Sequence, residues 1–144
     1  MKSSMQLETS LKERIKKHEG KRFEPYEDSL GILTVGYGRN LKDVPFSQDE
    51  IDLMFDNDFE RASDGAGSLE PYVLLNETRR GVLIEMVFQM GVQGVSRFKK
   101  FLRAACDGDY VRAAEEMLDS KWAKQTPGRA KELARLFVRG ISER

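Results

Sequence analysis

The sequence predicts an α+β protein, mainly α, with a small β-bearing N-terminal lobe and a helical C-terminal lobe. Two observations predict it. One short segment alternates between apolar and small residues and is rich in turn-formers, "EDSLGILTVGYG" from Glu27 to Gly38. Almost everything else repeats its apolar residues at helical spacing. The 144 residues suit a single domain with two lobes, and 40% apolar residues supply a core. The expected division is an N-terminal lobe over about 12–60, and a C-terminal helical lobe over about 66–144 that takes the N-terminal helix with it.

The elements follow in order. Leu7, Leu11 and Ile15 recur every fourth residue and predict a helix over roughly 4–19, with Gly20 as its stop. Pro25, the turn-like "EDSLG" and the alternating "ILTVGYG" predict a small hairpin or meander within about 22–38. Ser47 and Glu50 form a capping-box signature, and Ile51, Met54, Phe55 and Phe59 carry a helix on to about residue 62. "SDGAGS" reads as a break, with a weakly signalled short helix around 69–75. Asn76 or Thr78 opens the next helix, "ETRRGVLIEMVFQM", which is apolar on nearly every face, as in a helix buried in a bundle. "GVQG" ends it. Helices near 96–106 and 109–120 follow. Thr126 then caps a last helix with Pro127 at its first position, a stripe of Ala130, Leu133, Leu136 and Phe137, and Gly140 at its close.

Composition excludes several classes. The N-terminal stretch is polar and has no apolar h-region, so neither a signal peptide nor a membrane anchor is expected, and no run reaches transmembrane length. Membrane insertion is therefore not expected. The single cysteine, Cys106, allows no intrachain disulfide and suits a reducing cytosol. Net charge is zero but uneven, −5 over residues 1–94 and +5 over 95–144. A basic C-terminal portion could favour an anionic polymer, or it could be a surface asymmetry without consequence. No dense Arg/Lys run with interleaved aromatics points to nucleic acid.

Three residues in the N-terminal stretch have chemical potential. Glu19 continues the stripe of Leu7, Leu11 and Ile15 by one more step of four, so it should face inward from the last turn of its helix. Burial and the negative end of the helix dipole would both favour the protonated acid, a state fit for general-acid work. The alternative is a frayed helix end with Glu19 in solvent. Asp28 lies in a polar turn, where water and turn amides should keep it ionised. It is either the second carboxyl of a glycosidase pair or an ordinary turn aspartate. Thr34 shares a strand face with Ile32, Gly36 and Gly38. That nearly bare face leaves room for a sugar or a held water, or else the glycines only let the strand bend.

The segment "HEGKRFEPYEDSLGILTVGYG" resembles the active-site segment of the T-even phage lysozymes, the endolysins of glycoside hydrolase family 24. The shared pattern is a helix-ending Glu-Gly, an Asp nine residues after the Glu and a Thr six after the Asp. Two further segments resemble the same family in the same order: "MVFQMG" from Met86, and Trp122, Gln125, Thr126, Pro127, Arg129 and Ala130. The resemblance spans about residues 5–140 and implies the two-lobed lysozyme-like fold with a linking helix. It implies a muramidase cutting the β-1,4 bond from N-acetylmuramic acid to N-acetylglucosamine in bacterial peptidoglycan. Glu19 would protonate the glycosidic oxygen, and Asp28 and Thr34 would place the water, with inversion. It implies no metal and no cofactor. It also implies an enzyme held in the host cytoplasm until a holin opens the inner membrane, then acting on the wall in the periplasm.

Substrate-binding candidates come from the other two segments. Glu85 and Gln89 lie four apart and make a polar stripe on an otherwise apolar helix, facing a cleft or satisfying partners in the core. Gln89 could bond a sugar amide or hydroxyl, and Phe88 could line the cleft wall or simply pack. The resemblance pairs Arg129 with Glu19. Trp122 reads as a core anchor. Departures from the family are Arg39, where a His is usual, Glu85 in place of an amide, a shorter stretch between Leu41 and Ser47, and a neutral overall charge. His18 reads as a helix-end residue favourable to the dipole. Other readings are a wall-binding module that has lost catalysis, a lytic transglycosylase, and a helical adaptor or DNA-binding protein. The intact Glu19, Asp28 and Thr34 disfavour the first, Asp28 with Thr34 the second, and the lack of a basic recognition helix the third. A monomer is expected.

Overall fold

The computed structural model describes residues 3–141, and the chain divides into two compact units at Ile51/Asp52. The first unit opens with helix α1, Ser4–Glu19. Ser3 caps it: its hydroxyl accepts the Gln6 N–H while the Gln6 side chain accepts the Ser3 N–H. Three basic residues, Lys16, Lys17 and His18, occupy the last turn, where the helix dipole favours cations. Three antiparallel strands follow in order: β1 (Arg22–Glu27), β2 (Leu33–Gly36) and β3 (Arg39–Asn40). Register pairs Tyr26 with Thr34 and Thr34 with Asn40, so these three side chains share one face. A bulge between Arg22 and Tyr26 bends β1. α1 stands where the sequence predicts it, and the meander begins as expected at Arg22 but runs past residue 38 because β3 pairs Arg39 and Asn40 with Val35 and Thr34.

The capping box at Ser47 and Glu50 opens helix α2, Gln48–Gly67. It runs past the expected stop near residue 62, and the "SDG" of the expected break is helical. Packing explains this. A Cβ at Gly65 would lie 3.1 Å from Val87 and 3.2 Å from Val92, so glycine lets a neighbouring helix approach closely. That contact outweighs glycine's low helix propensity. A 3-10 turn over Glu70–Leu74 stands where a short helix was weakly signalled.

Helix α3 spans Glu77–Ser96, with Asn76 as its cap and a break at Gly91, whose φ of 78° is the left-handed region glycine favours. Its interior supplies Val82, Leu83, Met86 and Val87 to the core. Helices α4 (Lys99–Cys106), α5 (Tyr110–Leu118), α6 (Lys121–Gln125) and α7 (Pro127–Arg139) complete the unit. α6 is an addition to the sequence reading: Ser120 caps a single short turn that holds Trp122 and Ala123 in the core. Thr126 does precede Pro127 at the start of α7, but its hydroxyl donates back to the Trp122 carbonyl and does not cap α7.

α7 packs on α3, α5 and α6. Phe137 is fully buried, 5.3 Å from the Phe101 ring and edge-on to Tyr110 at 5.6 Å. Arg79, in the first turn of α3, closes the end of α7. Its guanidinium donates to the Phe137 and Val138 carbonyls and lies over the Tyr110 ring. Gly140 suits this place: its φ of 68° is left-handed, and a Cβ there would fall 2.6 Å from the guanidinium carbon and push Arg79 aside. Among the described residues no helix is long and apolar enough to cross a membrane.

Candidate active site

The chemistry-bearing residues of the first unit gather around the meander. Glu19 is the last residue of α1, and Gly20 caps the helix at φ 74°. The expectation that Glu19 is buried does not hold. Glu19 is exposed and no described residue of α1 is buried, so the stripe of Leu7, Leu11 and Ile15 does not carry its carboxylate into a core. The carboxylate is instead placed against backbone. A Cβ at Gly38 would fall 2.7 Å from Glu19 Oε2, and Gly38 has a φ of 81°, so the backbone favours glycine there and any side chain would displace the carboxylate. One turn earlier on α1, the Lys16 ammonium lies 5.5 Å from the Tyr37 ring centre. The end of α1 thus meets the β2–β3 turn at two successive residues.

Asp28 and Thr34 are joined through one residue, Ile32. The Ile32 N–H donates to Asp28 Oδ1 at 2.9 Å. The Ile32 carbonyl accepts both the Asp28 N–H and the Thr34 hydroxyl, each at 2.9 Å. Asp28 Oδ1 also accepts the Leu30 N–H at 2.8 Å, so the expected turn amides are present. Oδ2 takes no hydrogen bond among the described residues. Thr34 departs from the bare face expected of it. It is 4% exposed and flanked in register by Tyr26 and Asn40. So buried a position leaves no room for a sugar ring against it. Because the hydroxyl hydrogen is committed to the Ile32 carbonyl, the oxygen is left as an acceptor.

The second unit holds the other candidates. Arg129 Nε donates to Glu85 Oε2 at 2.7 Å, so the basic residue that the resemblance assigns to Glu19 is engaged by Glu85. Gln89 Oε1 accepts the Trp122 indole N–H at 2.8 Å, which leaves the amide nitrogen and one lone pair of the oxygen for a ligand. Both polar residues of the α3 stripe therefore have protein partners. Trp122 is buried, as an anchor should be. Phe88 is half-exposed, its ring 5.7 Å from that of Phe55. Phe55, Phe59, Ile84 and Phe88 wall a hollow of about 320 Å³ flanked by the Glu85–Arg129 pair. Among the described residues no group of three or more His, Cys, Asp and Glu is placed to hold a metal ion.

Sequence reasoning passed over one feature of the meander. Arg39 donates through both terminal nitrogens to the two oxygens of Glu50, 3.1 Å on the Nη1–Oε1 side. The sequence pattern marks Glu50 as a cap and Arg39 as a departure from the family, and pairs neither with the other. The signal available was an Arg beside the last glycine of "GYG" and an acid at the capping position. The charge-assisted bonds from Arg39, with the Ser47 N–H, hold the Glu50 carboxyl down at about 2.

A short meander inserted after the first helix of an otherwise helical chain, with a carboxylate at the helix end, defines the lysozyme-like α+β class. The comparisons agree. The Phage lysozyme family matches residues 16–143, and the chain belongs to that family. It is a lysozyme, a glycoside hydrolase with peptidoglycan as its substrate. Among relatives, "Probable T4-type lysozyme 2" of Dictyostelium discoideum is 29% identical, over 92% of this chain and 95% of that protein. "Pre-baseplate central spike protein Gp5" of Enterobacteria phage T4 is 27% identical, over 93% of this chain and 28% of that protein. "SAR-endolysin" of Bacteriophage PS119 is 31% identical, over 69% of this chain and 60% of that protein.

Proposed function

We propose that the chain is an endolysin-type muramidase that hydrolyses the β-1,4 bond between N-acetylmuramic acid and N-acetylglucosamine. Glu19 is the general acid that protonates the glycosidic oxygen as the bond breaks. Asp28 and Thr34 place the attacking water. The observation that carries this reading is the backbone of Ile32, whose N–H and carbonyl bond both residues at once. One oxygen of Asp28 is held by the turn and the other is left to take a proton from water. The Thr34 oxygen, its own hydrogen engaged, accepts the second water hydrogen. A water held by two acceptors points a lone pair away from both, as attack on an anomeric carbon requires. With a water in place between enzyme and sugar, the product is the inverted anomer.

Phe88, Gln89 and Arg129 are proposed as substrate contacts, Gln89 through its free amide nitrogen. The enzyme works as a monomer without cofactor. It is held in the host cytoplasm until a holin opens the inner membrane, and then acts on the wall. The test is product analysis on isolated peptidoglycan. A reducing muramic acid end, released as the α-anomer before mutarotation, supports hydrolysis with inversion. A 1,6-anhydro end would instead identify a lytic transglycosylase.

A further inference from the structure

The Arg39–Glu50 pair stands one residue from the glycine that touches the Glu19 carboxylate. We propose that Arg39 and Glu50 are positioning residues that hold the β2–β3 turn in the conformation that seats the Glu19 carboxylate. This inference rests on the reading of Glu19 as the acid and adds the device that places it.

Three observations carry it. First, Gly38 and Arg39 are consecutive, and a Cβ on Gly38 would fall 2.7 Å from Glu19 Oε2, so this turn lies against the carboxylate. A shift of β3 moves that contact directly. Second, β3 is only two residues long, Arg39 and Asn40, and its ladder is correspondingly short. Beyond it the backbone adds one bond to β2, from the Leu41 N–H to the Leu33 carbonyl at 2.9 Å, and side chains supply further anchors. Asn40 Oδ1 accepts the N–H groups of Lys42 and Asp43, which closes the following turn. Arg39 reaches out of the sheet to Glu50 by a two-point grip, with its guanidinium carbon 5.8 Å from the centre of the Phe46 ring. Third, Glu50 is itself immobilised. It lies in the first turn of α2, Oε1 accepts the Ser47 N–H at 2.8 Å, and the Ser47 hydroxyl accepts the Glu50 N–H in return. One carboxylate thus ties the start of α2 to the strand beside the acid. The planar fork of Arg39 fixes orientation as well as distance, which a lysine does not do.

The test is steady-state kinetics of the full chain on isolated peptidoglycan sacculi, each variant assayed well below its own unfolding midpoint. Arg39→Met and Glu50→Gln should each lower kcat at least tenfold with KM within about twofold, because the acid is misplaced and the sugar contacts are untouched. Arg39→Lys keeps the charge and should fall between wild type and Arg39→Met. The Arg39→Met/Glu50→Gln double variant should be no slower than the worse single variant, since both remove one device. The proposal is overturned if Arg39→Lys, the variant most certain to fold, or either single variant keeps wild-type kcat. It is equally overturned if the double variant loses the product of the two single losses. Glu19→Gln is run alongside. Its retained activity would defeat the assignment of the acid, whereas an inactive Glu19→Gln beside fully active clamp variants would defeat the clamp alone.

Discussion

Replacing Gly38 with alanine separates the fold's need for glycine from that of the chemistry. Two effects meet at this position. The backbone sits at φ 81°, where an L-residue costs about 1–2 kcal/mol. For a chain of this size that is a fall in Tm of roughly 3–8 °C. The new methyl would also stand 2.7 Å from Glu19 Oε2, against at least 3.4 Å for an ordinary contact, so the carboxylate must retreat by 0.7 Å or more. Glu19 is exposed and at the end of a flexible side chain, so retreat costs little stability. It does cost position, and misplacement of a reacting group by about 1 Å lowers rates about a hundredfold. Gly38→Ala should therefore lose about tenfold to a hundredfold in kcat while losing only modest stability. Gly36→Ala is the control: its φ is 70°, and a Cβ there meets nothing within 4 Å. The two variants should unfold at similar temperatures and differ by tenfold or more in kcat, by thermal denaturation and turbidity clearing. Equal kcat for both would refute the reasoning, because strain without collision would then explain everything.

Asp28→Asn and Thr34→Ala should each lose most of kcat, with Thr34→Ser closer to wild type because it keeps the hydroxyl on the Ile32 carbonyl. Steady-state kinetics of the purified variants check this. Arg129→Met removes a partly exposed ion pair and should change stability by less than about 1 kcal/mol in chemical denaturation, so any larger loss of activity reports on substrate. Trp122→Ala empties a buried site and strands the Gln89 carbonyl, for a loss of about 3–5 kcal/mol in the same experiment. The Glu50 carboxyl is lowered from 4.5 to about 2, so its contribution to stability is complete above 4.5 and disappears as pH falls through about 2. The gap in Tm between wild type and Glu50→Gln should accordingly be constant above pH 5 and narrow steadily towards pH 2.

What could be read in advance was local chemistry. Ser47 with Glu50, Asn76, Gly20 and Gly140 mark helix ends through hydrogen bonds within a few residues, and each stands where its pattern places it. The Asp28 turn belongs to the same kind, since both amides it binds come from the next four residues. Long-range approach was not legible. Gly65 extends α2 because Val87 and Val92 press on it, and no pattern near residue 65 announces a neighbour more than twenty residues away. The misreading of Glu19 has the same origin. A four-residue stripe says which face a side chain shares, not whether anything covers that face. Its neighbour, Gly38, lies in the β2–β3 turn, nineteen residues on, and nothing in the local pattern at Glu19 announces that approach. The partners of Glu85 and Gln89, from α7 and α6, were hidden likewise.

The chemistry proposed for the site rests on Glu19 donating the proton that breaks the glycosidic bond. The most direct test is clearing of chloroform-permeabilised Gram-negative cells by the wild-type protein and by Glu19→Gln, matched in concentration and in circular dichroism. The wild type should clear the cells rapidly, and Glu19→Gln should not clear them above background. Clearing by Glu19→Gln at the wild-type rate would contradict this role and would assign the acid to another residue.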